Sequence, residues 1–232
     1  MSTALEVRDL TYRYGNGSKV LDQVTFKVDR AENLIIFGPN GSGKTTLLLH
    51  INGILSGHGS IQVGGLELSK RTLAEVRRKV GIVFQDADEQ LFMPTVLEDV
   101  MFGLLNSGWS EEQAQNQARR FLHQVGIGES LFQRAPYHLS AGEKRRVALA
   151  GVLAMNPELL LLDEPTTSLD PPGQRSLVQL LQTLQQSMII ATHDIHFAQA
   201  LSRRAIFLQE GRVIADGQIE SIVKQFAWNA YA

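Results

Sequence analysis

The start of the chain alternates between apolar and polar residues. Ala4 to Leu10 and Val20 to Val28 both follow this pattern, which is typical of strands with one solvated face. The turn-rich run Gly15-Asn16-Gly17-Ser18 separates the two segments. The pattern therefore predicts an antiparallel β layer at the beginning of the chain.

Four later runs are continuously apolar, as expected of parallel strands that helices cover on both faces. They are Asn33 to Phe37, Val80 to Phe84, Leu159 to Leu162 and Met188 to Ala191. A glycine-rich loop follows the first run, and Thr45 to Ile51 continues as a helix. These runs predict an α/β fold with a doubly wound sheet.

The segment between Gln85 and Pro157 has helical character. Ser110 and Gln113 are spaced as a capping box, and the apolar residues after them keep to one helical face. That apolar face consists of Ala114, Ala118, Phe121, Leu122 and Val125. We predict an inserted helical subdomain over residues 86–157.

The chain after this segment returns to the core pattern. Asp170 as N-cap and Pro171 as first helical residue predict another amphipathic helix. Residues 205–215, which turn at Glu210-Gly211, predict a closing hairpin. We therefore expect one domain over residues 1–232, with its core in residues 1–85 and 158–232.

Composition and charge narrow the classes of function. The chain has 232 residues, of which 44% are hydrophobic, so it can bury one sizeable core. Its net charge of −2 and the lack of a dense Lys/Arg run argue against a nucleic-acid partner. Zero cysteines fit a reducing compartment and exclude a thiolate metal site. The sequence has neither a signal-peptide block nor an apolar run of membrane-spanning length, so membrane association would require a partner.

The loop after the first continuous run fits the pattern Gly-x4-Gly-Lys-Thr. It reads Gly38-Pro39-Asn40-Gly41-Ser42-Gly43-Lys44-Thr45, and we add the next residue, Thr46, to the nucleotide contacts. In such a loop backbone N–H groups wrap a phosphate, the lysine reaches the β and γ oxygens, and the threonine hydroxyl ligates Mg²⁺. The following helix directs its positive end at the same anion. The loop therefore predicts nucleoside triphosphate binding.

Two acids, Asp163 and Glu164, follow the apolar strand Leu159 to Leu162. Asp163 is placed like the acid that holds Mg²⁺ through water in other P-loop proteins. Attack on the γ-phosphate needs a group that takes the proton of a positioned water, and Glu164 beside the metal acid is suitably placed. The alternative for Glu164 is a salt bridge to a neighbouring loop.

The order of these segments resembles the ATP-binding cassette (ABC) family. The resemblance rests on the phosphate loop, on Leu139-Ser140-Ala141-Gly142-Glu143, and on Asp163-Glu164-Pro165-Thr166 with Ser168-Leu169-Asp170. It implies a P-loop NTPase with an antiparallel β layer and a helical subdomain, ATP and Mg²⁺ as cofactors, and Glu164 as catalytic base.

The resemblance also implies composite sites in a head-to-tail dimer. Ser140, Ala141, Gly142 and Glu143 of one subunit would contact the ATP that the other subunit holds. Asp170, in the segment that resembles the family's D-loop, would also contact ATP. The family usually has glycine at the position of Ala141 and glutamine at the position of Glu143. We expect these two differences to weaken the contact with ATP without abolishing it. From the residues alone, Ser140 and Glu143 are equally a capping box that starts a helix.

Three further residues resemble known parts of the family's site. His193 resembles the switch histidine that bonds the γ-phosphate, and Gln85 resembles the Q-loop glutamine that touches Mg²⁺ or the attacking water. Tyr14 resembles the aromatic residue that stacks on adenine. The alternatives are a structural histidine for His193 and an ordinary loop amide for Gln85. The nearby Tyr12 could equally be a cross-strand packing residue.

Residues 84–96 and 150–157 narrow the resemblance to the energy-coupling factor group, and most to its cobalt and nickel uptake members. This implies a peripheral subunit on the cytoplasmic face of the membrane, which energises import of a divalent metal. Its partners would be a second ATPase subunit, in a homodimer or a heterodimer, and integral membrane subunits. Leu91, Phe92, Met93 and Phe102 would form the docking surface or, alternatively, the core of the helical subdomain.

Other functions leave different sequence features. The vitamin-importing members of the energy-coupling factor group have similar ATPases. A soluble ABC ATPase of DNA repair would need a long coiled coil inserted mid-chain, and a translation-type protein usually has two tandem cassettes; the sequence contains neither. A non-hydrolysing sensor would be expected to lack Glu164 or His193. We therefore predict a transporter ATPase.

Overall fold

The computed structural model describes residues 3–15 and 17–228. Within these ranges the strands are β1 (Thr3–Arg13), β2 (Lys19–Asp29), β3 (Asn33–Phe37), β4 (His58–Val63), β5 (Leu66–Glu67), β6 (Val80–Val83), β7 (Leu159–Asp163), β8 (Ser187–Ala191), β9 (Arg204–Gln209) and β10 (Arg212–Gln218). The α-helices are α1 (Lys44–Ile51), α2 (Leu73–Lys79), α3 (Val96–Asn106), α4 (Glu111–Gln124), α5 (Ala141–Ala154), α6 (Pro171–Gln182), α7 (Ile195–Leu201) and α8 (Ile219–Gln225).

The central sheet has six strands in the order β10-β9-β3-β8-β7-β6. Neighbouring strands from β9 to β6 are parallel, and β10 pairs with β9 as an antiparallel edge. All five residues of β7 and all five of β8 are buried, as expected for strands covered on both faces. The predicted parallel strands and the closing hairpin are confirmed.

A second sheet has four antiparallel strands in the order β2-β1-β4-β5. The predicted pairing of β1 with β2 is confirmed, and the Tyr14 N–H donates to the Ser18 carbonyl across the turn that joins them. Asn16 of the predicted turn lies outside the described residues. The sequence analysis did not predict β4 and β5, which extend this layer along the free edge of β1.

The core lies on both faces of the six-stranded sheet. Alternate residues of β3 point to opposite sides: Ile35 and Phe37 join one apolar cluster, and Leu34 and Ile36 join the other. The first cluster contains buried residues of α3 to α8, and the second lies between the sheet, α1 and the four-stranded layer. The loop between β3 and α1 follows the last residue of β3, so it lies at the carboxyl edge of the sheet, where ligands bind in open α/β folds.

The described residues between β6 and β7 form helices and turns, without a strand. Both capping boxes are present: Ser110 with Gln113 starts α4, and Ser140 with Glu143 starts α5. Asp170 caps α6 with its side chain, and Pro171 is the first helical residue, as predicted. Among the described helices, none combines the length and the apolar composition needed to cross a bilayer.

Candidate active site

The phosphate loop connects β3 to α1 in a conformation that only glycine adopts easily. Gly43, directly before α1, has φ 105°, and an added Cβ would lie 2.8 Å from the Val20 carbonyl oxygen. The backbone of β2 thus packs directly against the loop. Glycine at this position is required by the positive φ and by this close approach.

Lys44 is buried at the start of α1. Its Nζ atom donates to the carbonyl oxygens of Gly38 at 2.7 Å and of Pro39 at 3.2 Å. Burial lowers the pKa of Lys44, and the negative charges of Glu164 and Asp163 oppose that effect. The ammonium group is therefore held against the loop, on the same side as the two acids.

Asp163 ends β7 with its carboxylate facing α1. Its Oδ2 atom accepts a hydrogen bond from the Thr45 hydroxyl at 2.6 Å, while its Oδ1 atom is buried without a hydrogen-bond partner among the described residues. Burial raises the pKa of Asp163, and the Thr45 bond partly offsets the rise. A buried oxygen with no donor, beside a hydroxyl, matches the hard oxygen ligands that Mg²⁺ takes. These residues therefore fit the predicted metal ion.

Glu164 follows β7 and contacts His193, which follows β8. The Nδ1 atom of His193 lies 2.9 Å from the Glu164 Oε2 atom. The Glu164 N–H donates to the Ala191 carbonyl at 2.8 Å, which ties the two strand ends together. Glu164 thus contacts the end of β8 through its main chain and the segment after β8 through its carboxylate, which is compatible with the catalytic role and with the structural alternative.

The two tyrosines of β1 and its turn have different surroundings. Tyr12 packs edge-on against His50 at a ring distance of 4.5 Å and is partly buried on the second apolar cluster. Tyr14 lies at the cleft, and its hydroxyl is 3.1 Å from the Thr46 Oγ1 atom. This arrangement gives Tyr12 the packing position and leaves Tyr14 facing the space beside the phosphate loop.

A cleft of about 970 Å³ brings most of the predicted residues together. Its lining includes Tyr14, Gly38, Asn40, Gly41, Gly43, Lys44, Thr45, Thr46, Gln85, Asp163, Glu164 and His193. Pro39 and Ser42 belong to the same loop, and the Ser42 N–H donates to the Pro39 carbonyl. The ends of β3, β6, β7 and β8 all contribute to this cleft, which we call the loop cleft.

The remaining predicted residues lie elsewhere. Ser140, Ala141, Gly142 and Asp170 line a second cleft of about 900 Å³, which we call the helix cleft. Glu143 is not among the lining residues; its Oε2 atom accepts hydrogen bonds from the Ser140 N–H at 2.8 Å and from the Ser140 hydroxyl at 2.7 Å. Within one chain the structure therefore does not bring these residues to the phosphate loop.

Comparison with known proteins identifies the family. A family profile described as "ABC transporter" matches residues 21–167. The chain belongs to the ABC transporter family. It is an ABC ATPase, in which ATP hydrolysis is coupled to transport.

Curated relatives match this ABC ATPase over nearly its whole length. A putative ABC transporter ATP-binding protein of Streptomyces avermitilis is 49% identical over 93% of this chain and 82% of the relative. The energy-coupling factor transporter ATP-binding protein EcfA of Methanothermobacter thermautotrophicus is 44% identical over 92% of this chain and 70% of the relative. The chain is therefore similar to named ATP-binding subunits.

Two solved structures share the fold. CbiO1 from Clostridium perfringens, part of the ABC transporter complex cbiONQ, is 37% identical, with a TM-score of 0.85 over 97% of this chain and 92% of that one. The cassette MJ0796, solved as a dimer in a post-hydrolysis state with ADP and Pi, is 30% identical, with a TM-score of 0.83 over 93% of this chain and 98% of that one. The predicted fold class, an ABC ATPase with an antiparallel β layer and a helical subdomain, is confirmed.

The structure also places residues at the loop cleft of this ABC ATPase that the sequence analysis missed. Thr167 and Trp228 line it. Trp228 follows α8 and packs edge-on against Phe207 at a ring distance of 5.1 Å, so only the packing of the final helix brings it there. Arg145 donates hydrogen bonds to the main-chain carbonyls of Glu164 and Gln85. The only sequence feature that distinguishes it is its place in the short basic run Lys144-Arg145-Arg146.

Proposed function

We propose that this ABC ATPase is the energising subunit of an energy-coupling factor importer for divalent cobalt or nickel. The observation that carries the proposal is the similarity to cbiO1 of the cbiONQ complex over 97% of the chain. The resemblance of residues 84–96 and 150–157 to the cobalt and nickel members supports the same choice.

In this proposal the loop cleft binds ATP. The N–H groups of the phosphate loop and the amino end of α1 face the phosphates, and Lys44 reaches the β and γ oxygens. Tyr14 supplies the stacking surface for adenine, since it lines the cleft while Tyr12 packs inward. The hydroxyl of Thr46 orients Tyr14 through their 3.1 Å contact.

Thr45, Asp163 and Gln85 are the residues that would hold Mg²⁺. The ion, when bound, neutralises charge on the phosphate oxygens. Glu164 then orients the attacking water and takes its proton, which is the role of a general base. His193 holds one carboxylate oxygen of Glu164 and presents its exposed ring to the γ-phosphate.

Two subunits are needed in this mechanism because one chain keeps its two sets of predicted ATP contacts in separate clefts. Ser140, Ala141, Gly142 and Asp170 lie in the helix cleft, at the amino ends of α5 and α6. A second ATPase subunit, identical or related, would bring its helix cleft over the ATP in the first subunit's loop cleft. The dimeric cassette with ADP and Pi supports this arrangement.

The membrane subunits would dock beside α3. Phe92 and Phe102 are exposed by 63% and 40%, and their rings meet edge-on at 4.9 Å. Of the four residues predicted to dock the membrane subunits, Leu91 packs partly on the first apolar cluster. It therefore fits best the alternative of a core residue of the helical subdomain. An exposed aromatic pair at the rim of a groove of about 270 Å³ suits a short helix of a membrane partner. The subunit would thus act at the cytoplasmic face of the membrane.

Reconstitution tests the proposal. The chain is co-purified with its membrane subunits and reconstituted in proteoliposomes that enclose MgATP. Uptake of external Co²⁺ and Ni²⁺ into these proteoliposomes is measured, with the Glu164→Gln complex as control. ATP-dependent uptake of either ion, lost in the control, is expected. No uptake of either ion by a complex that hydrolyses ATP would refute the choice of substrate.

Import of a vitamin is the second candidate. It is supported by the 44% identity to the energy-coupling factor ATP-binding protein EcfA of Methanothermobacter thermautotrophicus, because the vitamin-importing members of that group have similar ATPases. The same proteoliposomes, assayed with radiolabelled vitamins, distinguish the two candidates.

A further inference from the structure

Arg145 lies near the start of α5 and is only 6% exposed. Its guanidinium donates to two main-chain carbonyls: Nη1 bonds to that of Glu164 at 2.8 Å, and Nη2 bonds to that of Gln85 at 2.6 Å. Glu164 follows β7, and Gln85 lies just beyond the adjacent strand β6. One side chain of α5 thus holds the backbone of two residues of the loop cleft.

The chemistry of this contact is specific to arginine. Burying a guanidinium is costly unless it is well bonded. Burial lowers the pKa of Arg145, and nearby Asp86, Asp163 and Glu164 oppose that effect through their negative charge. The acceptors themselves are neutral carbonyls. The guanidinium has two separate terminal nitrogens, so it can donate to carbonyls on two different segments. The three donors of a lysine share one nitrogen and reach only neighbouring acceptors, as Lys44 does with Gly38 and Pro39.

The backbone that Arg145 holds is unusual at Glu164. This residue has φ 43°, in the left-handed region that residues other than glycine seldom adopt. Its N–H donates to the Ala191 carbonyl, and its own carbonyl accepts from Arg145, so the residue is fixed on both sides. The direction of the Glu164 carboxylate depends on this backbone conformation.

The residue before Arg145 reinforces the connection. Lys144 forms an ion pair with Asp88 at 2.6 Å. Together with the Arg145 bond to the Gln85 carbonyl, this pair joins α5 to residues 85–88 at two points. The same helix begins at Ser140, in the helix cleft. A displacement of α5 caused by a contact at Ser140 would therefore move Gln85 and Glu164 together.

We infer that Arg145 is a positioning residue that couples α5, and with it the helix cleft, to the water-activating carboxylate and the Gln85 loop. This inference rests on the proposed function, because it requires Glu164 and Gln85 to act on ATP. It assigns to Arg145 a task that the phosphate loop and Asp163 cannot perform, since none of the described hydrogen bonds joins them to α5.

The test compares Arg145→Met and Arg145→Lys with a matched control, Arg120→Met, on the exposed side of α4. Each variant is measured, with its membrane subunits, for ATP affinity by calorimetry and for kcat and KM of hydrolysis. Because the ATP contacts remain, we expect wild-type affinity and KM in both Arg145 variants. Because Glu164 is displaced, we expect kcat of Arg145→Met to fall by about a hundredfold. Arg145→Lys, which reaches one carbonyl, should fall less.

Three results would overturn the inference. They are wild-type kcat in a folded Arg145→Met variant, a loss of ATP affinity in parallel with kcat, and failure of both variants to fold, which would make the residue purely structural. If the wild type and Arg120→Met fail to hydrolyse ATP, the proposed function itself falls. If they hydrolyse it and Arg145→Met matches them, only the role of Arg145 falls.

Discussion

The imidazole of His193 and the carboxylate of Glu164 form one unit at the ends of β8 and β7. The Nδ1 atom lies 2.9 Å from Oε2, and the main-chain N–H of His193 donates to the same oxygen at 3.3 Å. The Glu164 side chain is 9% exposed and the His193 side chain 65%. A buried acid is thus oriented by an exposed ring, which can respond to what enters the cleft.

Replacing Glu164 by Gln tests the general base. Glutamine keeps the size of the side chain and an oxygen for His193, but it cannot take a proton from water. We expect unchanged ATP binding by calorimetry and a fall in phosphate release by about a hundredfold to ten-thousandfold. Glu158→Gln, an exposed carboxylate next to the other end of β7, is the control. Wild-type turnover in Glu164→Gln would remove this residue from catalysis.

Replacing Lys44 by Ala tests the phosphate loop. The ammonium group supplies the positive charge that the β and γ oxygens need, and it also bonds to the Gly38 and Pro39 carbonyls. We expect no measurable ATP binding by calorimetry, while Lys224→Ala on the exposed side of α8 binds normally. Circular dichroism checks that the variant is folded. A folded Lys44→Ala chain with wild-type affinity would contradict the assignment.

Replacing Asp163 by Asn should separate stability from activity. Burial raises the pKa of Asp163 in the folded chain, so its ionised form costs stability at neutral pH, and this cost disappears as the pH falls through the folded pKa. Asparagine carries no charge at any pH. In EDTA at neutral pH we expect a higher melting temperature, by about 2–4 °C per kcal/mol gained, and no gain in acid.

The same variant should lose hydrolysis because a predicted metal ligand is gone. We expect turnover in MgATP to fall by at least about a hundredfold. A melting temperature below that of the wild type at neutral pH would show that the Thr45 hydrogen bond outweighs the burial of the charge.

Replacing Glu143 by Gln tests the unusual residue at the start of α5. The Glu143 carboxylate accepts hydrogen bonds from both the N–H and the hydroxyl of Ser140, whereas in α4 the Gln113 oxygen accepts one from the Ser110 N–H at 3.2 Å. Glutamine at 143 would free the Ser140 hydroxyl for phosphate and remove a negative charge. We expect ATP-dependent pairing of subunits to strengthen by roughly two- to tenfold, the size of one net hydrogen bond.

The control makes the opposite change in the other capping box. Gln113→Glu lies on α4, outside both clefts, and should leave pairing unchanged. Sedimentation with a non-hydrolysable ATP analogue measures both variants. Equal or weaker pairing in Glu143→Gln would show that the carboxylate does not restrain Ser140.

Several elements could be predicted from local patterns alone. The run Asn33 to Phe37 forms β3 with the same bounds, and the glycine loop leads into α1. The capping boxes at Ser110 and Ser140 are present because their donors and acceptors lie three residues apart, within reach of a sequence pattern. The subdomain boundaries at residues 86 and 157 remain a prediction.

Other elements could not be predicted from local patterns. β4 alternates only over its last four residues, after Gly59 with its φ of 113°, and β5 is two residues long, so the sequence signal of each strand is short. β4 is a strand because β1 offers it a free edge and supplies hydrogen bonds from far away in the chain. The short α2 likewise carries one buried residue, Val76, which is too little for a periodic signal.

The sequence by itself determined the order of the phosphate loop, Ser140 to Glu143, and Asp163 with Glu164, and hence the family and its ATPase activity. Only the tertiary structure decided that these residues divide between two clefts, that Tyr14 rather than Tyr12 faces the loop cleft, and that Arg145 holds the backbone of Glu164 and Gln85. The reason is physical: caps and periodicities act between neighbours along the chain, whereas these contacts depend on how distant helices and strands pack.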